Sequence, residues 1–431
     1  MSDRRSSHDA LGWLLSFSDP TRGVGWNPAS RGGLAWNVRR TRMLLDLAGA
    51  PDRRIRVVLV AGTKGKGSTA AMLACLLAAS GIRTGLSTKP HLQDFRERVR
   101  VGGAAISAAA LARGADDLRP IVDELARTAP DAGAPTTFEL TTVLALAHYA
   151  AEGCAVAVVE VGLGGRYDAT NATDPLVSVI TAISRDHTRE LGTRLDTIAL
   201  EKSGILRPGR VAVIAPQRPT VRRALLLECA AVGAPAREVR PAGGDAAEAL
   251  TLRGEHQRAN LAAALAAADA LAEDGVPYRA SAAPKGLRRL RWPGRFEIVP
   301  GRPTTVLDGA HNDGSADALA ATLRREFPRR RVRFVIGLMA EKDARALLRP
   351  LLPLARSVEA TRVASPRALA PRELVRLCRG VMARAHDEPA DAIATARRDA
   401  GDRDIVCVTG SLALIGRARD VLGLPVVERL W

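Results

Sequence analysis

Three groups of residues in this chain have types and spacing suited to chemistry. The first is Gly62-Thr63-Lys64-Gly65-Lys66-Gly67-Ser68-Thr69, set between the apolar run Val57–Val60 and the helix-forming run Ala70–Ala79. A buried strand, a glycine loop and a helix in that order make an anion cradle. Glycines let backbone N–H groups close on phosphate oxygens, and the helix N-terminus adds partial positive charge. Lys66 is placed to reach the β- and γ-phosphates, and Ser68 or Thr69 to offer a hydroxyl to phosphate or metal. The spacing differs from G-x-x-x-x-G-K-[ST], because a glycine separates Lys66 from Ser68. The second group is Glu160, His187 and Asp308, each at the end of a predicted strand. A carboxylate and an imidazole beside a nucleotide phosphate could hold Mg²⁺, with hydroxyls and water completing the shell. The third is Lys202, on a predicted helix next to Glu201.

The elements that must position these groups alternate. Two amphipathic helices occupy Ala10–Gly49, joined by a Gly/Pro/Arg-rich loop from Asp19 to Arg31. Thr84–Thr88 reads as a second short strand, and Ser107 caps a helix running to about Arg127. Another helix runs from Thr136–Glu139 to Gly153. Strands follow at Ala155–Val161, Leu176–Ile183 and Val211–Ile214, with a helix at Thr197–Leu206. Such alternation predicts a parallel, doubly wound sheet with its site at the strand C-terminal ends. A long helix opens at His256-Gln257-Arg258-Ala259-Asn260, and Trp292-Pro293-Gly294 punctuates a boundary. Beyond it, strands at Thr305–Leu307, Val332–Ile336 and Ile405–Val408 predict a second, smaller α/β domain. The expected domains are residues 1–292 and 293–431.

Composition narrows the function class. At 431 residues the chain exceeds the usual size of one core, and its 47% hydrophobic and 25% charged residues suit a soluble globular protein. No apolar run of about 18 residues predicts a membrane span, and the N-terminus leads into an amphipathic segment rather than a signal peptide. The net charge of +17 is mostly arginine spread along the chain, while only 3% of residues are aromatic. That pattern lacks the stacking residues of single-strand binders and favours anionic small molecules over nucleic acid. Five cysteines without CxxC spacing suggest reduced core thiols and a cytoplasmic protein.

The ordered motifs resemble those of the folylpolyglutamate synthase/dihydrofolate synthase family, within the Mur ligase superfamily. Ala61–Thr69 is similar to the family's phosphate loop, and Lys89-Pro90-His91-Leu92 with Glu97-Arg98-Val99-Arg100-Val101 to its omega-type loop. Thr137-Phe138-Glu139, Glu160–Arg166, Asp168-Ala169-Thr170-Asn171, Asp186-His187-Thr188 and Glu201–Ile205 also correspond. So do Pro293-Gly294-Arg295, Asp308-Gly309-Ala310-His311-Asn312 and Val408–Leu412. The resemblance implies a Mur-ligase-like P-loop α/β domain followed by a smaller Rossmann-like domain. It implies an ATP-dependent ligase joining L-glutamate to a reduced folate, or to dihydropteroate, through an acyl phosphate. Gly62, Thr63, Lys64, Gly65, Lys66, Gly67 and Ser68 would cradle ATP, with Asn260, Arg295, Asp308 and His311. Glu160 and His187 would ligate one or two Mg²⁺ ions. Lys202 matches a lysine that is carbamylated in the family, which makes it a carboxylate-like metal ligand. Lys66, His187 and Lys202 form the implied catalytic set, a monovalent cation is a further implied ion, and a monomer is expected.

One position departs from the pattern. The family has a metal-ligating serine before Pro-His, and here Lys89 stands there. An ammonium has three donors and no lone pair, so it cannot ligate a cation. Thr88 or Ser87 could move in, water could replace the ligand, or Lys89 could itself neutralise phosphates. Arg185 would add positive charge beside them. Two other readings stay open: a paralogous Mur-type ligase acting on another carboxylate, and a nucleotide-binding protein that has lost ligation.

Overall fold

The computed structural model describes residues 2–19, 22–30, 33 and 35–431, with side chains from Asp9 onward. Pro20, Thr21 and Arg31 of the predicted N-terminal loop lie outside the described residues. Two sheets organise the chain. The first holds β1 (Arg56–Ala61), β2 (Thr84–Ser87), β3 (Val99–Val101), β4 (Ala104–Ala105), β5 (Val156–Glu160), β6 (Pro175–Ile180), β7 (Val211–Ile214) and β8 (Ala236–Glu238), in the order β4-β3-β2-β5-β1-β6-β7-β8. β1 lies between β5 and β6 and is parallel to both. Val57–Ala61 are buried throughout, as expected of β-branched residues in a strand covered on both faces. Each such side chain contributes about 1.5–3 kcal/mol.

The two faces carry different helices. Lys66–Ala79 and Glu255–Glu273 pack their Ala and Leu side chains on one face, against Val58, Val60, Val158 and Val179. Helices Ala108–Thr128, Thr137–Ala151, Leu195–Ser203 and Pro219–Val232 cover the other face. Thr136 caps Thr137–Ala151 in a box with Glu139. Glu139 also pairs, fully buried, with Arg40 of helix Ala35–Leu47. The N-terminal helices are thereby fixed to the element that presents Phe138.

The second sheet holds β9 (Glu297–Val299), β10 (Thr305–Leu307), β11 (Arg331–Ile336), β12 (Ala355–Thr361), β13 (Met382–His386) and β14 (Asp404–Thr409), in the order β13-β12-β11-β14-β10-β9. Leu92, from the first sheet's β2–β3 loop, packs into one of its apolar layers. Gln93 exchanges hydrogen bonds with Asp420 and Arg419. The last residues return to the first sheet, where the Ala105 N–H bonds the Glu428 carbonyl.

The expected parallel sheets need correction at their edges. β3 and β4 run antiparallel beside β2, and β9 runs antiparallel to β10. These connections are too short for a crossover helix, so the chain can only turn back on itself. The strand expected to reach Ile183 ends at Ile180, since the Ile183 N–H goes to the Gln217 side chain instead of a neighbouring strand. All five cysteines are buried and free.

Candidate active site

The loops after β1, β2, β5 and β6 meet at one end of the first sheet. After β1 the chain turns through Gly62 and Gly65, both at positive φ (143° and 85°). A Cβ at Gly62 would lie 1.9 Å from Thr181 Oγ1, and one at Gly65 would lie 2.1 Å from Asn260 Oδ1. Only glycine fits either place. Gly65 precedes helix Lys66–Ala79 and provides no side-chain cap, so the first-turn amides are left for an anion. The Thr63 and Lys64 amides both donate to the Ala182 carbonyl, and Thr63 Oγ1 donates to Ser184 O. The loop is thus pinned to the β6 exit. Asn260, expected at the nucleotide, lies against the loop and donates to Gln257 from within the core.

Beneath the loop, two lysines share one acceptor. Lys202 Nζ donates to the Gly62 carbonyl at 2.9 Å, and Lys66 Nζ donates to the same oxygen at 3.2 Å. Lys202 is buried rather than solvated. Burial, with the nearby charge of Lys66, pulls its ammonium down to about 7. Glu160 is buried at the tip of β5, and its Oε2 would lie 3.3 Å from a Cβ at Gly67, so it faces the phosphate helix. His187 follows β6 in a left-handed backbone (φ 49°) and is exposed. Among the described residues, no three or more His, Cys, Asp or Glu side chains form a metal cluster. A Mg²⁺ ion fits this arrangement nonetheless, because it binds through one or two carboxylates plus substrate phosphates. Glu160 supplies a hard oxygen beside the phosphate loop, and Thr69 Oγ1 is buried there without a partner. Lys202 as an ammonium has no lone pair, so it can join a shell only after carbamylation.

The second sheet contributes from across the cleft. Asp308, at the tip of β10, accepts an N–H bond from Ala310 in its own loop and one from Phe296, just before β9. Burial pushes its carboxyl up, against the Arg295 charge beside it, and burial lowers the Arg295 guanidinium. His311 bonds the Gly309 carbonyl through Nδ1 and points Nε2 at Asp186, 3.7 Å away. Lys64 turns toward Asp313, at 3.8 Å. One partner was not foreseen. Lys342, after β11, lies 2.5 Å from Asp186, which also accepts the His187 N–H. Burial opposes ionisation of Asp186, but His311 and Lys342 together hold it well below the usual carboxylate range. Lys342's place at a strand end was the only sequence signal for it. Arg185 sends its guanidinium to the Thr193 carbonyl at the surface, which replaces the expectation that it lies beside the phosphates.

Lys89 takes a course that the sequence did not anticipate. Its backbone N–H donates to Glu160 Oε2 at 2.9 Å. Its ammonium lies over the Phe138 ring, 3.6 Å from the centroid, buried without a hydrogen-bond partner. Burial brings it down to about 8, with Asp168 and Glu160 opposing that shift. The Gly162–Asp168 loop is held by Asp168, whose Oδ2 accepts the Gly162 and Leu163 amides.

Comparison with known proteins accounts for this arrangement. Residues 60–230 match the Mur ligase middle domain, and residues 294–412 match the Mur ligase glutamate ligase domain. The dihydrofolate synthase/folylpolyglutamate synthase of Bacillus subtilis is 31% identical over 90% of this chain and 95% of its own. The folylpolyglutamate synthase of Mycobacterium tuberculosis, solved with ADP, superposes with a TM-score of 0.87 at 32% identity, over 98% of this chain and 99% of the other. A bifunctional folylpolyglutamate synthase/dihydrofolate synthase from Yersinia pestis, complexed with AMPPNP and a Mn ion, gives 0.80 at 30% identity, over 97% and 98%. With two α/β sheets, a phosphate loop and both ligase domains in order, the chain belongs to the folylpolyglutamate synthase/dihydrofolate synthase family.

Proposed function

We propose that this chain is an ATP-dependent, ADP-forming ligase that adds L-glutamate to a reduced folate, with dihydropteroate as an alternative acceptor. The observation that carries the reading is the phosphate loop, with Lys66, Glu160, Lys202 and Asn260 all turned onto it, in a chain matching its relatives nearly end to end. In the first step an acceptor carboxylate oxygen attacks the γ-phosphorus, and ADP leaves. The glutamate amine then attacks the acyl-phosphate carbon, and inorganic phosphate departs as the amine loses its proton. The chain needs no nucleophile of its own. It must hold two anions together, screen their charge and exclude water.

Lys66 and the first-turn amides bind the triphosphate, with Ser68 beside them. Glu160 and His187 are the ligands we assign to Mg²⁺, which supplies charge neutralisation at the transferred phosphoryl group. Lys202 suits carbamylation, since an amine titrating at about 7 is substantially neutral in the cell, and the neutral form adds CO₂. Arg295, Asp308 and His311 bring the second domain, residues 293–431, onto the nucleotide held by residues 1–292. A monovalent cation, a monomeric state and a cytoplasmic location complete the reading. Among the described residues no helix is long and apolar enough to cross a membrane.

The test is ADP release by the purified protein with ATP, L-glutamate and either tetrahydrofolate or dihydropteroate. Mass spectrometry of the product should show one added glutamyl residue. ATP binding without glutamate-dependent turnover on either acceptor would refute the reading.

A further inference from the structure

Lys89 Nζ is a buried ammonium with no hydrogen-bond acceptor. Neither carboxylate facing it accepts a hydrogen bond from its ammonium, and each already takes other donors. Asp168 Oδ2 takes two loop amides, and its Oδ1 takes the Thr170 N–H and hydroxyl. Glu160 Oε2 takes the backbone N–H of Lys89 itself. Arg98 and Lys66 are the nearby cations. An aromatic face steadies the charge but leaves its three N–H donors unused, and burying such a group unpaired is costly. The seat is therefore built for an anion that arrives with a ligand.

Its position indicates which anion. Phe138 stands at the start of helix Thr137–Ala151, on the face of the first sheet opposite the phosphate helix. The triphosphate and the carboxylate that attacks it meet at Lys66; Glu160 stands between the two sites, its Oε2 facing Gly67 and accepting the Lys89 N–H, while the Lys89 ammonium leans away onto Phe138. A carboxylate paired with an ammonium is also a poorer nucleophile, because the pairing ties up the lone pair it must donate. The carboxylate that suits Lys89 is one that does not react.

Building on the folate-ligase reading, we propose that Lys89 recognises a second, non-reacting carboxylate of the acceptor. It thereby selects acceptors that already carry a glutamyl group over those with a single carboxylate. Tetrahydrofolate has two carboxylates, and dihydropteroate has only the one consumed by the reaction. Lys89 is thus a specificity residue for the acceptor.

The experiment compares wild type with Lys89→Met and Lys89→Gln, reading KM and kcat for tetrahydrofolate, dihydropteroate and MgATP. Calorimetric titration of tetrahydrofolate onto the MgADP-loaded protein gives a readout independent of turnover. The expected result is a tenfold or greater rise in KM for tetrahydrofolate relative to the change for dihydropteroate. Tetrahydrofolate affinity by calorimetry should weaken to match, while kcat moves less than KM. Equal changes for both acceptors would overturn the assignment, as would a change confined to MgATP, which would place the ammonium on phosphate. If Lys89→Met fails to fold, Lys89→Gln keeps polarity without the charge on a side chain one atom shorter, and unchanged acceptor preference in it overturns the proposal. No turnover with any folate sinks the ligase reading and this assignment together. Turnover with unaltered preference sinks only the assignment.

Discussion

The floor of the phosphate loop and the seat over Phe138 each bury a lysine, and the two are wired in opposite ways. Below the loop, Lys202 and Lys66 converge on one carbonyl oxygen, that of Gly62. Burial, aided by the Lys66 charge, brings the Lys202 amine down to about 7. Over Phe138, Lys89 has no acceptor, and burial lowers its ammonium to about 8, with Asp168 and Glu160 opposing. Held on a backbone carbonyl and lowered by burial, Lys202 is an amine suited to covalent modification. With no acceptor of its own, Lys89 is a cation suited to pairing. Residue type alone did not distinguish these outcomes; the neighbours did.

The largest effect expected from breaking this contrast is at Lys66. Lys66→Ala should lower kcat/KM by 10³-fold or more, about 4 kcal/mol of transition-state stabilisation, as for other groups that meet developing charge. It should also raise the Lys202 titration midpoint, because a neighbouring positive charge is gone. Carbamate on Lys202, seen by ¹³C NMR in protein equilibrated with ¹³CO₂, should then fall near neutral pH. Near-normal turnover would remove the loop lysine from the mechanism. Unchanged carbamate would show that the two ammonium groups do not interact.

Next comes Lys202 itself. Lys202→Ala should lose roughly 10²-fold in kcat, about 3 kcal/mol, with partial recovery by short carboxylic acids that fit the vacated space. The pH dependence has a defined sign. Carbamylation needs the neutral amine, and the folded-state midpoint lies below the model-compound value of 10.5, at about 7. Carbamate in wild type should therefore rise as pH increases through about 7, under constant dissolved CO₂. A rise that begins only above pH 9 would mean that Lys202 keeps an ordinary amine, and the contrast with Lys89 would fail.

The parts of this site that the sequence discloses are those made by local chemistry. A β-branched run, three glycines and an Ala/Leu helix define the phosphate loop without reference to anything distant. Strand-end placement likewise marks Glu160, His187 and Asp308. Three strands of the second sheet, β9, β12 and β13, were not legible. β12 and β13 interrupt their apolar residues with Arg, Ser, Glu and His. Glu359 is nevertheless fully buried, because Arg384, His386 and Ser357 all bond to it, and no hydropathy pattern reports such pairing. The course of Lys89 was illegible for a related reason. Whether its side chain meets phosphate, metal or ring depends on Phe138, which only the fold brings there. Lys342 and Asp186 are separated by 156 residues, and neither has local features that name the other.

That last pair gives the smallest expected effect and the test of how the two domains cooperate. Asp186 belongs to the first domain, but Lys342, His311 and Asn312 reach it from the second. Asp186 also accepts the N–H of His187, whose left-handed backbone costs roughly 1–3 kcal/mol and persists only where surroundings enforce it. Docking the second domain therefore steadies the backbone of a proposed metal ligand through Asp186. Lys342→Met removes one partner while His311 and Asn312 remain, and the pair is only partly shielded from water, with side-chain exposures of 15% and 12%. About 1–2 kcal/mol, or a five- to thirtyfold fall in kcat/KM, is then expected, well below the loss at Lys66. The Mg²⁺ concentration for half-maximal rate should rise with it, because His187 is less firmly placed. The melting temperature should move little, since each domain keeps its own apolar core. A loss of kcat/KM with an unchanged Mg²⁺ requirement would confine Lys342 to domain docking. Unchanged kinetics throughout would show that the domains meet at Asp186 without any consequence for the chemistry.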